Sequence, residues 1–346
     1  MKHFILYLSA IFLILFLAHV NKNQSFLIRE QKAVVKVFTY SSFASKWGPG
    51  PVLKELYEQS CNCIVEFIEG ADTAILLQRL RIEGKKLGAD LVVGFDQYDL
   101  QKAVVELNWR SMDFSSLDVD PMVKSALKNE FFVPYDWGVL SFVTREDSRI
   151  APTISLDDLT RSDLTRKIAL QDPRTSSVGL QFVMWVLKTK GADEGWKYLE
   201  RMMQQAHSYS PSWSTAYGLF KSGQVDLVFS YVTSPLYHLI EEKNENFRSL
   251  EMVEPQPVQV EFAGIPSFCR YCQLAEGFLN LLLSREGQKI VMEKNYMMSV
   301  LRTVRNGTPF ENLKIPFRLL EVDYPSVNQI EQVQKQWSDL RRKTSL

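Results

Sequence analysis

Apolar and polar residues alternate along the first hundred residues in a pattern that predicts three β-strands. The runs 33–40 and 63–70 are short and rich in β-branched and aromatic residues, which is typical of strands. The run 89–96 is almost continuously apolar, which is typical of a parallel strand buried on both faces. We therefore expect these three runs to be strands of one buried sheet.

The two segments between these strands carry apolar residues at helical spacing. In the first segment, Val52 and Leu56 fall on one stripe, which predicts a helix that buries them. The second begins at Asp72 or Thr73, and either side chain is suited to cap a helix. The order strand, helix, strand, helix, strand predicts a doubly wound α/β sheet over residues 33 to about 100.

A polar link at 100–130 leads to a second unit of the same kind. Its predicted elements are a long strand at 132–147, strand–loop–helix segments at 167–191 and 225–242, a strand at 260–269 and an amphipathic helix pair at 273–294. Two α/β units joined by extended crossings predict two lobes with a cleft between them. The hinge strands are expected near Val133 and Phe262.

The length of the chain also favours two lobes, because 346 residues are many for a single hydrophobic core. We expect residues 33–133 and 262–312 to form lobe 1. Residues 134–261 and 313–346 are expected to form lobe 2.

The first 25 residues differ in kind from the rest. One lysine precedes an apolar run from Phe4 to Val20, and polar residues follow, which is the anatomy of a secretory signal. The run is close to the shortest length that spans a bilayer, so segment 1–25 is either a signal peptide or an N-terminal anchor. Both alternatives place the body of the protein outside the cytoplasm.

Charge and cysteine content narrow the class of protein. Forty basic residues balance forty acidic ones, so there is no electrostatic footprint for nucleic acid and no nucleic-acid partner is expected. Cys61, Cys63, Cys269 and Cys272 are an even number, as in an oxidising compartment. The first pair is spaced C-x-C, which favours disulfides over a zinc site, and the pairing stays open.

Side chains at the carboxyl ends of the predicted strands are the first candidates for a binding site, because ligands of doubly wound sheets bind there. Tyr40, residues 70–73 and Phe95–Asp96 lie at these ends, and Trp47 follows in a Gly-Pro turn. Instead of contacting a ligand, Asp96 could cap the helix that follows. Aromatic rings in surface turns gain little from burial, so Tyr40 and Trp47 are candidates for contact with a flat ligand.

Several sequence blocks occur together and in one order. They are TYSSFASKWGPGP, CNC, RLRIEGK with ADLVVGFD, FVPYDWG, QDPRTSS, WSTAYGLFKSGQVDLVFSYVTSPLYH and KNYMMSV. Between Val35 and Val300 the chain thereby resembles the periplasmic thiamine-binding proteins of bacterial ABC importers. The resemblance implies an α/β, two-lobed fold of the type II periplasmic-binding-protein class, with a hinge between the lobes and the ligand in the interlobe cleft.

The resemblance also implies a function. It predicts a periplasmic, monomeric binding protein rather than an enzyme, without a cofactor, and with thiamine as the transported ligand. Thiamine monophosphate and diphosphate are further possible ligands. The expected partner is an ABC permease in the inner membrane, to which the protein delivers its ligand after the hinge has closed.

Aromatic residues at the family's cleft positions are the expected binding surface. Thiamine has two linked aromatic rings, one of them a permanent cation, and each aromatic face attracts a cation by about 0.5–2 kcal/mol. The positions are Tyr40, Trp47, Trp213, Tyr231, Tyr237 and Tyr296. Trp213, Tyr231 and Tyr237 are expected to do most of the stacking. Asp72, with the backbone of Thr73, is expected to bind the aminopyrimidine.

Two loops match the family positions that hold the hydroxyl or phosphate tail. Ser176 and Ser177 precede a helix whose free N–H groups are expected to point into the cleft, which favours anions. The second loop consists of Val232, Thr233, Ser234 and Pro235, with the proline at the first helical position.

Several alternatives stay open. Tyr296 stands where the family often has tryptophan, and Ser41 where it often has an acid, so another cationic or pyrimidine solute is possible. A thiamine-degrading enzyme of the same fold would need a cleft cysteine beside a base, and an iron binder would need clustered tyrosines with histidine or acids. Phe38 and Phe43 are expected in the core.

Overall fold

The computed structural model describes residues 32–344. The predicted signal or anchor, 1–25, lies outside this range. Among the described residues, no helix is long and apolar enough to cross a membrane.

The first predicted unit is present as strand, helix, strand, helix, strand, which confirms that prediction. Its elements are β1 (Ala33–Tyr40), α1 (Ser41–Ala44), α2 (Gly50–Cys61), β2 (Cys63–Gly70), α3 (Thr73–Glu83), β3 (Leu91–Asp96) and α4 (Leu100–Glu106). All six residues of β3 are buried, as its continuous apolar run predicts.

The second part of the chain alternates in the same way. Its strands are β4 (Phe132–Arg145), β5 (Thr153–Ile154), β6 (Ile168–Gln171), β7 (Ser208–Ser210), β8 (Leu227–Tyr231), β9 (Phe247–Ser249), β10 (Glu251–Met252), β11 (Val258–Gly264) and β12 (Met298–Ser299). Its helices are α5 (Ser177–Lys190), α6 (Ala192–Gln205), α7 (Trp213–Lys221), α8 (Ser234–Glu241), α9 (Cys272–Leu283), α10 (Arg285–Asn295) and α11 (Val327–Thr344).

The sheet has two parallel groups of strands with an antiparallel pair between them. Its order is β2-β1-β3-β11-β4-β8-β6-β7, with β9 and β12 also paired to β4. Strand β1 runs parallel to β2 and β3, and β6 runs parallel to β7 and β8. Strand β11 is antiparallel to both β3 and β4. The two strands with the predicted hinge positions, Val133 and Phe262, are therefore direct neighbours.

Apolar side chains form two main clusters. One contains Phe38 and Phe43, both fully buried, which confirms that they belong to the core. The other contains Phe142, Phe182 and Phe229, whose rings pack with centroids 5.2–6.1 Å apart. The residue boundaries of the two lobes stay a prediction.

Helix α2 buries a different face from the predicted one. Leu53 and Tyr57 are buried, whereas Val52 is 38% exposed and Leu56 is half-buried. The reason lies in packing against α9, where Gly277 has no side chain and lets the Tyr57 ring approach. The Tyr57 hydroxyl donates to the Leu274 carbonyl at 2.7 Å, which fixes this orientation.

The four cysteines form two disulfides, Cys61–Cys63 and Cys269–Cys272, which confirms the prediction of disulfides and settles the pairing. The first joins the end of α2 to the start of β2. This is the amino end of the strand, so the bond lies away from the carboxyl ends, where a ligand is expected.

Candidate functional site

A cavity of about 310 Å³ lies at the carboxyl ends of β1 and β8. Ten of the residues predicted from the sequence line it: Tyr40, Trp47, Asp72, Thr73, Ser177, Trp213, Tyr231, Ser234, Tyr237 and Tyr296. Elements far apart in the chain thus contribute to one space. Its size suits a small organic ligand.

Four other candidates do not line this cavity. Ser176, Val232 and Thr233 are buried, and Pro235 is half-buried within the first turn of α8. Ser176 and Thr233 occupy the N-cap positions of α5 and α8. Their side chains therefore belong to the helix starts rather than to the cavity wall, and their role in ligand binding stays a prediction.

Trp213 is held on two sides at the start of α7. Its ring stacks on Tyr217, with the ring centroids 4.9 Å apart and the planes 23° apart. Its Nε1 donates to the Ser230 hydroxyl at 2.9 Å. Tyr217 and Ser230 therefore fix the indole in the cavity wall, and its predicted stacking on a ligand stays a prediction.

Two glycines make room for the tyrosines of the cavity. Gly94 in β3 has φ +118°, and a Cβ there would lie 2.4 Å from the Tyr40 ring. At Gly138 in β4 a Cβ would lie 2.7 Å from the Tyr231 ring. Substitution of either glycine would displace an aromatic wall, so the rings and the glycines act together.

The carboxylate of Asp72 joins the start of α3 to the starts of α5 and α7. It accepts hydrogen bonds from the backbone N–H of Thr73 at 2.8 Å, Trp213 at 3.1 Å and Ser177 at 3.3 Å. Burial raises the pKa of Asp72, while these donors lower it. The three helix N-termini thus offset part of the cost of burying this carboxylate, because they attract negative charge.

These contacts correct one expectation. The N–H of Ser177, at the start of α5, is bonded to Asp72 and is not free for a phosphate. The Ser177 side chain still lines the cavity. The proposed contact between Asp72 and an aminopyrimidine stays a prediction.

Acidic and amide side chains at the floor of the cavity were missed by the sequence reasoning. Glu261 accepts hydrogen bonds from the hydroxyls of Tyr40 at 2.8 Å and Tyr135 at 2.5 Å. Asn295 donates to Asp136 at 2.8 Å and to the Tyr40 hydroxyl at 2.9 Å. Burial raises the pKa of Glu261 to about 7. The signal available in the sequence was an acidic residue in the middle of an otherwise apolar strand: Asp136 in β4 and Glu261 in β11.

Charged residues also border the cavity towards solvent. The Lys294 ammonium pairs with Glu241 at 3.2 Å, and the Tyr296 hydroxyl donates to the same carboxylate at 3.0 Å. The Lys221 ammonium lies 4.7 Å from the ring centroid of Tyr237. Tyr237 and Tyr296 meet edge to face with centroids 5.4 Å apart. Two aromatic rings and two paired lysines therefore frame this side.

The sequence matches known proteins over most of its length. Residues 115–296 match the family model of bacterial extracellular solute-binding proteins. A Salmonella typhimurium protein named thiamine-binding periplasmic protein is 37% identical over 292 residues, which are 84% of this chain and 88% of the relative. A Brucella suis protein of the same name is 35% identical over 274 residues, covering 79% of this chain and 81% of the relative.

Solved structures agree in fold. One described as a periplasmic thiamin binding protein superposes with a TM-score of 0.81 at 33% identity and covers 90% of this chain and 97% of its own. The periplasmic binding protein AfuA from Actinobacillus pleuropneumoniae has a TM-score of 0.76 at 17% identity, covering 88% and 98%. At that identity the likeness concerns the fold alone. The predicted type II binding-protein fold is confirmed.

Proposed function

The chain belongs to the bacterial extracellular solute-binding proteins, and from this premise we propose that it captures thiamine in the periplasm and delivers it to an ABC importer. The observation that carries the ligand proposal is that aromatic rings and buried acids line the same cavity. A cationic aromatic ligand is complementary to both, because ring faces and carboxylates each attract positive charge.

The proposed pose places the flat rings of the ligand against the indole of Trp213. This face is available because Tyr217 covers the opposite side of the indole. Tyr231 and Tyr237 line the same cavity and supply further aromatic surface. The cation is thereby desolvated among ring faces, where cation–π attraction is about 2 kcal/mol or more.

The proposed transport cycle uses hinge closure. The permease recognises the closed form, in which the ligand lies between the two groups of strands joined by β4 and β11. The protein acts as a monomer, and thiamine monophosphate and diphosphate are proposed as further ligands. Their tails would extend towards the side where Lys221 and Lys294 line the cavity.

A cysteine-dependent enzyme is less well supported by the arrangement of the chain. All four cysteines are bonded in disulfides, and none of them lines the cavity. A nucleophilic mechanism of that type requires a thiolate in the cleft.

Calorimetric titration of the purified protein with thiamine tests the proposal. We expect a submicromolar dissociation constant, equivalent to a binding free energy more negative than about −8 kcal/mol. Tryptophan fluorescence should change in parallel, because Trp213 lines the cavity. Parallel titrations with the monophosphate and the diphosphate rank the three forms. No heat and no fluorescence change at saturating thiamine would show that the ligand proposal is wrong.

A further inference from the structure

Two buried carboxyl groups face each other beside the cavity. Asp136 in β4 and Glu261 in β11 are directly opposite in the antiparallel register, and hydrogen bonds through Asn295 and the Tyr40 hydroxyl connect them. Asp136 is fully buried and Glu261 is 5% exposed. Two buried carboxylates on directly opposite residues of paired strands repel each other when both are ionised, so one proton kept by the pair removes this repulsion.

The hydrogen bonds around the pair indicate where the proton lies. Glu261 Oε2 accepts from the hydroxyls of Tyr40 and Tyr135, which stabilise its ionised form. Asp136 Oδ2 accepts from Asn295, while no donor within residues 32–344 reaches Asp136 Oδ1. This distribution of donors favours Glu261 as the ionised member of the pair and Asp136 as the protonated one.

The surrounding charges favour retention of this proton in the ligand-free protein. Burial opposes the ionisation of Glu261 most strongly, and the carboxyl groups of Asp96 and Asp72 add to this effect. Tyr231 contributes a neutral hydroxyl, because burial raises its pKa well above the usual range.

The two lysines that line the cavity are already paired with other acids. Lys221 and Lys294 line the same cavity, but they pair with Glu242 and Glu241 respectively. A cation that enters the cavity would therefore be the first uncompensated positive charge near the two acids.

We propose that Asp136 and Glu261 share one proton in the empty cavity and release it when a cationic ligand binds, so that the pair selects for positive charge. The step breaks the O–H bond of Asp136, and the proton passes to water and buffer. The net charge of the pair changes from minus one to minus two, and the bound cation compensates the added charge. This proposal rests on the proposed function, because thiamine carries a permanent positive charge.

Proton release is measured by titrating the protein with thiamine in two buffers of different ionisation enthalpy. At pH 6 we expect about one proton released per ligand, and between pH 6 and 7 an affinity that rises up to about tenfold. Above the pKa of the pair the release should decline and the affinity should level off. The neutral isostere 3-deazathiamine should bind more weakly, release no proton and show no such dependence on pH.

Variants assign the effect to the pair. Glu261→Gln removes the shared proton and keeps an oxygen for the tyrosine hydroxyls, so it should abolish proton release and reduce the preference for thiamine over the isostere. Asp136→Asn should also abolish release. Asp90→Asn is the matched control. Asp90 is also a buried acid, 1% exposed, but it directly precedes the amino end of β3, whereas the cavity lies at the carboxyl ends of the strands. It should release the proton as the wild type does.

The outcomes separate this inference from the proposed function. If thiamine binds with the same affinity from pH 6 to 8 and with equal heats in both buffers, the inference is wrong while the proposed function stands. If thiamine does not bind at all, both are wrong. The buffer comparison uses the wild-type protein, so it decides the question even if a variant does not fold.

Discussion

Replacement of Trp213 with alanine is the substitution with the largest expected effect on ligand binding. The indole lines the cavity with one face and rests on Tyr217 with the other. Its removal would eliminate a stacking surface and the cation–π attraction, together about 2–4 kcal/mol. The affinity for thiamine should therefore fall about thirtyfold to a thousandfold.

Trp213→Phe separates the contribution of the aromatic face from that of the hydrogen bond that holds the indole in place. Phenylalanine keeps an aromatic face but loses the hydrogen bond from Nε1 to the Ser230 hydroxyl, which is 2.9 Å long. A hydrogen bond of this kind contributes about 1 kcal/mol, so the loss of affinity should be about fivefold, plus a part for the smaller ring. The order wild type, phenylalanine, alanine is the expected result.

Calorimetric titration at one pH measures the affinity of each variant for thiamine, and circular dichroism shows whether the variant is folded. Trp196→Ala is the matched control, because Trp196 packs against the second apolar cluster but does not line the cavity. Phe43→Ala tests a fully buried ring, which should cost about 3–5 kcal/mol of stability while the folded molecules still bind. Affinities of both Trp213 variants within about threefold of wild type, with folding intact, would refute the stacking model.

Three further predictions concern a glycine, a disulfide and pH. Gly138→Ala should displace Tyr231, lowering the unfolding free energy by about 1–3 kcal/mol and weakening ligand binding. Replacing both Cys61 and Cys63 with serine should leave affinity unchanged and cost about 2 kcal/mol, because the bond closes a very short loop. Burial raises the pKa of Glu261 to about 7, and we assign this value to the one proton that Asp136 and Glu261 share, so the stability that this proton gives the ligand-free protein is complete below the unfolded pKa. The unfolding free energy should then fall by up to about 1.4 kcal/mol per pH unit from about pH 4.5 to 7.

Each of these predictions has a clear opposing result. A Gly138→Ala protein with wild-type affinity and melting temperature would show that Tyr231 is not held as described. A loss of affinity in the double serine variant would connect the disulfide to the cavity. If Glu261→Gln leaves the pH dependence of stability unchanged, then another group titrates in that range.

The sequence pattern was sufficient for the elements that position the site. Apolar runs predict β1 to β3, and of the two capping residues that the sequence offered for α3, Asp72 is the one that caps it. The prediction of which face α2 buries was wrong. Leu53 and Tyr57 are buried because α2 packs against α9, which lies more than two hundred residues away in the chain. Periodicity cannot contain that information.

The floor of the cavity could not be predicted for a related reason. Glu261 lies within an apolar strand, where a single acid is equally compatible with a solvent-facing position. Only the antiparallel pairing of β11 with β4 brings it opposite Asp136. Asn295, which completes the group, enters from the end of α10.

A crystal structure of the protein with saturating thiamine tests the central claim most directly. We expect electron density for both rings in the cavity, with the cationic ring within about 6 Å of the centroid of an aromatic ring of the wall. It also predicts that the ligand contacts the exposed face of Trp213. Thiamine bound elsewhere on the protein, with this cavity empty or filled only by water, would contradict the account.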